Sequence, residues 1–251
     1  MIKIECSDNL PFMKKIKSNT IDLIYCDILY GTGKDFGDYK DLKAIRKIIN
    51  EHYIPRIKEM NRLLKETGTI YLQMDFHISH WIRMILDDIF GYDNFMNEVI
   101  WRIGWVSGFK GKGKCFVRNH DTILMYVKDR ASYKFNKLML LKTGKIRGTN
   151  ILIADKEYPI EDTWNCSEHD KLDSNMIKSF SKEKGYPTQK PLELIERIIK
   201  SSSDENDLVA DFYLGSGTTA VACKKLNRNF IGCDINKMAI VIAKERVNKC
   251  S

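Results

Sequence analysis

The sequence predicts an α/β fold with a mainly parallel sheet. Three observations carry this: short runs of β-formers alternate with stretches of helical periodicity, glycines close the helical patterns, and one strand runs straight into a glycine turn that opens a helix. The first unit is Thr20-Ile-Asp-Leu-Ile-Tyr-Cys26, an apolar run that ends at Asp27 and opens into Gly31, Thr32 and Gly33, as a buried strand followed by a loop would. From about Asp41 to Leu64 apolar residues recur at helical spacing (Leu42, Ile45, Ile48, Ile49, Ile57, Met60, Leu63, Leu64), and Gly68 ends the pattern before a strand from Thr69 to Met74. A helix from about Ser79 to Phe90, stopped by Gly91, and a strand near Glu98 to Ile103 form the next unit. GWVSGFKGKGK from Gly104 to Lys114 predicts a mobile basic loop, followed by a strand over Asp121 to Val127. Residues 131–185 show weak periodicity, and irregular structure with a few short elements is expected there. The pattern then returns as a helix around Leu192 to Ser201, the strand Leu208 to Asp211, the glycine turn, a helix to about Leu226, a strand from Asn229 to Asp234 and a last helix from about Met238.

A chain of 251 residues can bury one sizeable core. Its mean hydropathy of −0.34 and the lack of an apolar run near the roughly 20 residues of a membrane span exclude a transmembrane protein. The N-terminus MIKIECSDN lacks the pattern of a signal or transit peptide, so a cytoplasmic location is expected. Seven cysteines without a C-x-x-C pair read as reduced, mainly buried thiols rather than a disulfide framework or zinc ribbon. His77 and His80 have no third ligand or cysteine partner in the pattern, so they read as surface or capping residues and no metal is expected. The net charge of +8 is concentrated: residues 101–150 hold twelve Lys/Arg against two acids, which leaves the remainder slightly acidic. Such a segment suits a polyanion-binding face, and a solvated basic surface is the alternative. Trp101, Trp105, Phe109 and Phe116 interleave with its cations, as in a base-stacking loop, although Trp101 above all reads as core.

Asp211-Phe-Tyr-Leu-Gly-Ser-Gly-Thr-Thr219 follows a strand and opens a helix, and Gly215 and Gly217 would let the backbone turn tightly against a ligand. Asp234 ends the next strand 23 residues after Asp211, where a carboxylate can take both hydroxyls of a ribose. Position 220 is Ala, so the full G-x-G-x-x-G fingerprint for a pyrophosphate is absent, which favours a nucleoside cofactor without a diphosphate. A plain strand-to-helix turn is the alternative.

Further segments complete the pattern. Asp27-Ile-Leu-Tyr30 with Gly31-Thr-Gly-Lys-Asp-Phe36 stands where a D-P-P-Y and N-T-G-x-D-F pair would, Tyr186-Pro-Thr-Gln-Lys-Pro191 matches Y-P-T-Q-K-P, and Asp211 to Thr219 matches D-P-F-x-G-S-G-T-T. With Leu86-Asp-Asp-Ile-Phe-Gly91, Asn119-His-Asp-Thr-Ile-Leu124 and Phe230-Ile-Gly-Cys-Asp-Ile-Asn236, the chain resembles, nearly end to end, the beta group of DNA amino-methyltransferases, which use S-adenosylmethionine and modify adenine-N6 or cytosine-N4. The resemblance implies a seven-stranded, Rossmann-like mixed sheet in circularly permuted order, with the catalytic half before the cofactor half. Residues 1–251 would form one methyltransferase domain, with a basic target-recognition insertion at about 101–185.

It also implies the site. Asp27, the Ile28 carbonyl and Tyr30 would act on a flipped base. Asp8 would meet the cofactor's adenine and Asp234 its ribose, while Thr188, Lys190, Asp211, Phe212, Leu214, Gly215, Ser216, Gly217, Thr218 and Thr219 would line the rest of the cofactor. Asp8 could equally be an N-terminal turn residue. Lys110, Lys112, Lys114 and Arg118 would contact phosphates of double-stranded DNA. A cognate restriction endonuclease and a homodimer are the further partners the resemblance suggests, and Asp at position 27 favours adenine. The departures are Ile28 and Leu29 in place of the prolines of D-P-P-Y, and Phe212 in place of the proline of the cofactor turn. They remove the fixed φ of proline from a loop that must hold tight geometry, yet keep the Asp carboxylate, a backbone carbonyl and the Tyr ring. An active adenine methyltransferase is therefore expected. The alternatives are cytosine-N4 methylation and a DNA-binding homologue with impaired catalysis.

Overall fold

The computed structural model describes residues 1–35, 41–103, 114–145, 152–164 and 189–250. Its centre is an eight-stranded sheet built from β1 (Ile2–Cys6), β2 (Ile21–Asp27), β3 (Leu64–Met74), β4 (Phe95–Arg102), β5 (His120–Val127), β8 (Thr163–Trp164), β9 (Leu208–Asp211) and β10 (Asn229–Asp234). The spatial order is β1-β10-β9-β2-β3-β5-β4-β8. The strands from β1 through β3 pair in parallel, and β5 runs antiparallel to both of its neighbours, so the sheet is mixed. In chain order β2 precedes β9 and β10. A separate antiparallel hairpin, β6 (Met139–Lys145) with β7 (Leu152–Pro159), lies in the segment read as weakly structured. Seven strands were expected in the sheet. The eighth is the two-residue β8, which joins β4 through Ile100↔Thr163 and Trp101↔Trp164 and is too short to leave a period in the sequence.

Helices cover both faces. On one lie α1 (Asn9–Lys14), α2 (Arg46–Leu63) and α3 (Ser79–Phe90); on the other lie α4 (Leu192–Ser202), α5 (Thr218–Lys225) and α6 (Lys237–Lys249). β2 shows why its sequence is apolar throughout. Ile24 and Cys26 enter the core of the first face and Leu23 and Tyr25 that of the second, so a central parallel strand has no solvent side. Trp101 is core, as its sequence context indicates, whereas Phe116 is fully exposed. Trp105 and Phe109, like the basic loop that holds them, lie outside the described residues.

Two boundaries differ from the sequence reading. α2 begins at Arg46 rather than near Asp41, because the Asp41 carboxylate accepts the amide protons of Gly31 (3.1 Å) and Thr32 (2.7 Å), which ties residues 41–45 to the loop after β2. Gly68 lies inside β3 and does not precede it. A Cβ there would stand 2.9 Å from both Leu64 Cδ2 and the Lys65 carbonyl oxygen, at the point where β3 shifts register against β2. β1 and α1 are additions that no sequence signal announced; α1 is capped by Asp8, whose side chain accepts the Leu10 amide proton. Among the described residues no helix is long and apolar enough to cross a membrane.

Candidate active site

A cavity of about 570 Å³ opens at the carboxyl ends of β2, β9 and β10, where open α/β sheets hold ligands. Its wall contains Asp8, Asp27, Ile28, Tyr30, Lys190, Asp211, Phe212, Leu214, Gly215, Ser216, Thr218, Thr219 and Asp234. Residues far apart in sequence thus line one space. Gly217 belongs to the same turn but is packed beneath it. Lys110, Lys112 and Thr188 lie outside the described residues.

The glycine turn is held from three sides. Asp211 accepts the Tyr213 amide proton at 3.0 Å through Oδ1 and the Thr219 hydroxyl proton at 2.6 Å through Oδ2, which clasps the start of α5 to the end of β9. The Gly215 amide donates to Asp234 Oδ2 at 2.8 Å, and Asn236 donates to Oδ1 at 2.9 Å. From α6, Arg246 donates to the Ser216 carbonyl at 2.7 Å and reaches the hydroxyls of Ser216 and Thr218. Sequence reading did not find Arg246; it lies in an unremarkable basic helix and acts only through the packing of α6 on the turn.

Burial pushes the Asp211 carboxyl up to about 7, against the hydrogen bonds from Thr219 and Tyr213. Asp27 and Asp234 move in the same direction, also by burial. A native group that holds its proton longer than the unfolded chain binds more protons between about pH 4 and pH 7, so stability falls as pH rises through that window. Without bound ligand, urea unfolding from pH 4.5 to 7.5 is expected to show a loss of up to about 1.4 kcal/mol per pH unit for Asp211, flattening above pH 7, and Asp211→Asn should flatten the slope.

At the end of β2 both oxygens of Asp27 are engaged. Oδ1 accepts the Tyr30 hydroxyl at 2.8 Å and Oδ2 accepts Lys190 Nζ at 2.5 Å. Lys190 also stands 5.3 Å from the Tyr30 ring centroid, so the residue assigned to the cofactor side by resemblance touches the other half of the site. The Tyr30 hydroxyl is 2.8 Å from a second carboxylate oxygen, Asp121 Oδ2 on β5.

Two of the three residues that replace the prolines use their amide protons. Ile28 donates to the Gln73 carbonyl on β3 at 3.0 Å, and Phe212 donates to Cys26 Sγ at 3.4 Å. Tyr53 on α2 donates its hydroxyl to the Leu29 carbonyl at 2.8 Å. The loop is therefore fixed by hydrogen bonds and by the burial of Ile28, where proline would fix it through φ. Ile28→Pro is expected to lower stability by about 1–3 kcal/mol in urea unfolding, because it leaves the Gln73 carbonyl without its donor, and to give no gain in turnover.

Asp8 caps α1, lines the cavity and pairs with Arg56 at 3.0 Å. Beside it His52 lies 3.1 Å from the Tyr213 hydroxyl, and burial and the neighbouring Arg56 lower its pKa to about 4, so it is neutral near pH 7. Arg118 is turned inward. It donates to Asp121 at 3.2 Å and to the His120 carbonyl at 3.0 Å, and lies 3.7 Å from Asp75, whereas Lys114 is exposed. Asp75 accepts the His77 amide proton at 2.9 Å and lies 2.7 Å from its ring Nδ1, which makes that histidine a hydrogen-bond partner of Asp75.

A family model described as DNA methylase, of the N6/N4 type, matches residues 21–245. Type II methyltransferase M.HpaI of Haemophilus parainfluenzae is 34% identical over 98% of this chain and 74% of that protein. DNA adenine methyltransferase YhdJ of Escherichia coli is 30% identical over 97% of this chain and 82% of its own length. Among solved structures, M1.HpyAVI superimposes with a TM-score of 0.64 at 24% identity, covering 99% of both chains, which supports the fold. With the matched segment spanning the sheet from β2 to α6, and with it both halves of the cavity, the chain belongs to the N6/N4 DNA methylase family.

Proposed function

We propose that this protein transfers a methyl group from S-adenosylmethionine to N6 of an adenine flipped out of double-stranded DNA. The observation that carries the reading is the joining, in one cavity, of a carboxylate and tyrosine at the end of β2 with a glycine turn and ribose-distance carboxylate at the ends of β9 and β10. The name of the Escherichia coli relative supports adenine over cytosine. The cavity fits the cofactor by its donor set. Asp234 and Asp8 offer carboxylates for hydroxyl and amino groups, Leu214 and Ile235 offer apolar wall, and Ala220 stands where a pyrophosphate site would need glycine. When bound, S-adenosylmethionine supplies an electrophilic methyl group on a sulfonium.

The residues of the chain do the positioning. The amino nitrogen of adenine is a poor nucleophile because its lone pair is delocalised into the ring, and in the duplex it is hidden in the stack. The Tyr30 ring offers a stacking face to the displaced base. The Asp27 carboxylate and the Ile28 carbonyl accept its amino hydrogens, which localises the lone pair on nitrogen for in-line attack. The nitrogen loses one proton as its new N–C bond forms, and the Asp27 carboxylate, its pKa raised by burial, is placed to receive it. Lys190 must yield Oδ2 or share it, which makes it part of the base-side machinery in this reading.

In the same reading, residues 1–251 are one methyltransferase domain in permuted order, the segment at about 101–185 is its DNA-contacting insertion, and Lys110, Lys112, Lys114 and Arg118 serve the phosphates. The engaged geometry of Arg118 gives it the weakest claim among them. The type II names of the relatives support a role in a restriction-modification system, and a cognate endonuclease, a cytoplasmic location and a homodimer are the parts of this reading to test.

The test is transfer of labelled methyl from S-adenosylmethionine to unmethylated genomic DNA, followed by nucleoside digestion and mass spectrometry. N6-methyladenine is the expected product. Methylcytosine would replace adenine with cytosine in the reading, and no methylated base from protein that binds cofactor and DNA would favour a binding role.

A further inference from the structure

Asp121 lies on β5, 2% exposed, in the Asn119–Leu124 segment that carries part of the family resemblance but was assigned no role in the site. Its carboxylate is fixed by two donors besides Tyr30: Gln73 Nε2 reaches Oδ2 at 3.1 Å and Arg118 Nη1 reaches Oδ1 at 3.2 Å. The Tyr30 hydroxyl carries one proton and faces two acceptors at the same distance, Asp27 Oδ1 and Asp121 Oδ2, each at 2.8 Å. It can make a strong hydrogen bond to only one of them at a time. While it donates to Asp27, and Lys190 holds Oδ2, each oxygen of the carboxylate already accepts one donor, so an incoming amino hydrogen must share an oxygen whose charge another donor is drawing on.

We propose that Asp121 is a positioning residue for methyl transfer: it takes the Tyr30 hydroxyl proton in hydrogen bond, which frees Asp27 Oδ1 for the amino hydrogen of the target base and keeps the Tyr30 ring in place. The exchange breaks no covalent bond; the phenol keeps its proton and changes acceptor. An ionised carboxylate suits the task because a charge-assisted hydrogen bond is roughly twice as strong as a neutral one, so it can rival Asp27 where an amide oxygen cannot. Gln73 contributes at both ends of the arrangement. Its backbone carbonyl holds Ile28, and its side chain bridges Asp121 and the Tyr25 hydroxyl, so β3 sets the spacing between the two acids. This inference rests on the reading of Asp27 and Tyr30 given above.

The test is a double-mutant cycle of Asp121→Asn and Tyr30→Phe, read as single-turnover methyl transfer to genomic DNA at saturating cofactor, with KM for DNA, cofactor dissociation constant and melting temperature measured on each variant. Asp121→Asn is expected to slow the methyl-transfer step roughly tenfold, the worth of one competing hydrogen bond, with KM and cofactor affinity within about twofold of wild type. In the Tyr30→Phe background, where no hydroxyl occupies Asp27, the same substitution should cost no further rate. A wild-type rate for Asp121→Asn, or an equal slowing in both backgrounds, would overturn the proposal, the second by showing that Asp121 acts through the fold. If Asp121→Asn does not fold, Asp121→Ser, which is smaller and lacks the acidic acceptor, carries the same cycle and the same two outcomes. A wild-type protein that binds cofactor and DNA but methylates neither base would overturn the underlying reading, and this inference with it.

Discussion

Asp27→Ala is expected to lower the rate of methyl transfer by about 10²–10³-fold, the effect of removing one preorganised group that faces developing charge. The substitution removes the acceptor of the amino hydrogen and, in the same stroke, the partner of Lys190 and one of the two acceptors of Tyr30. Asp27→Asn keeps the shape and one acceptor oxygen but presents an NH₂ donor to Lys190 or to the base, so it should fall in the same range. Cofactor binding is expected to survive in both, because the glycine turn is anchored by Asp211, Asp234 and Arg246 and not by Asp27. Single-turnover kinetics with an independent cofactor titration separate the two effects. A variant that loses cofactor affinity in proportion to rate would place Asp27 on the cofactor instead of the base.

Gly217→Ala is expected to damage the fold strongly. Gly217 has φ +80°, a conformation that costs an L-residue about 1–2 kcal/mol. The new Cβ would also lie 2.6 Å from Ala243 Cβ and 2.9 Å from Ala243 Cα on α6, and the backbone atom cannot rotate away. Overpacking of this kind adds about 1–3 kcal/mol, so a loss of about 2–5 kcal/mol is expected, or roughly 4–20 °C in melting temperature for a chain of this size. Pushing α6 outward also carries off Arg246, which holds the Ser216 carbonyl, and cofactor affinity should fall with stability. Thermal melting with cofactor titration checks both; a variant as stable as wild type would mean that the turn can relax without α6.

Much of the fold was legible because its signals are local. A central strand such as Ile21–Asp27 must be apolar on both faces, and Leu208–Asp211 followed by two glycines can only be a strand that turns, so the boundaries of β9 and β10 agree with the sequence. The N-terminal β1, the start of α2 and the hairpin β6–β7 were not legible, since β1 gains its partners from β10, residue 41 is drawn into the loop by Gly31 and Thr32, and the hairpin has weak alternation. The site divides in the same way. Asp27, Tyr30, Gly215 and Asp234 stand in motifs with a stated role and Asp121 in a resembling segment without one, whereas Gln73, Tyr53 and Arg246 carry no spacing signal; these last four act through contacts across 24 to 91 residues of chain.

By itself the sequence determined the order of the elements from β2 to β5 and from α4 to α6, the nucleoside-type turn and the family, because residue chemistry and short spacings are enough to specify each. Only the tertiary structure decided that hydrogen bonds from Ile28 and Phe212 stand in for missing prolines, that Lys190 faces Asp27, and that Asp27 and the buried Asp121 share one tyrosine hydroxyl. Those facts depend on which backbone donors and side chains the sheet register brings within about 3 Å of one another, and register is set by the packing of the whole chain.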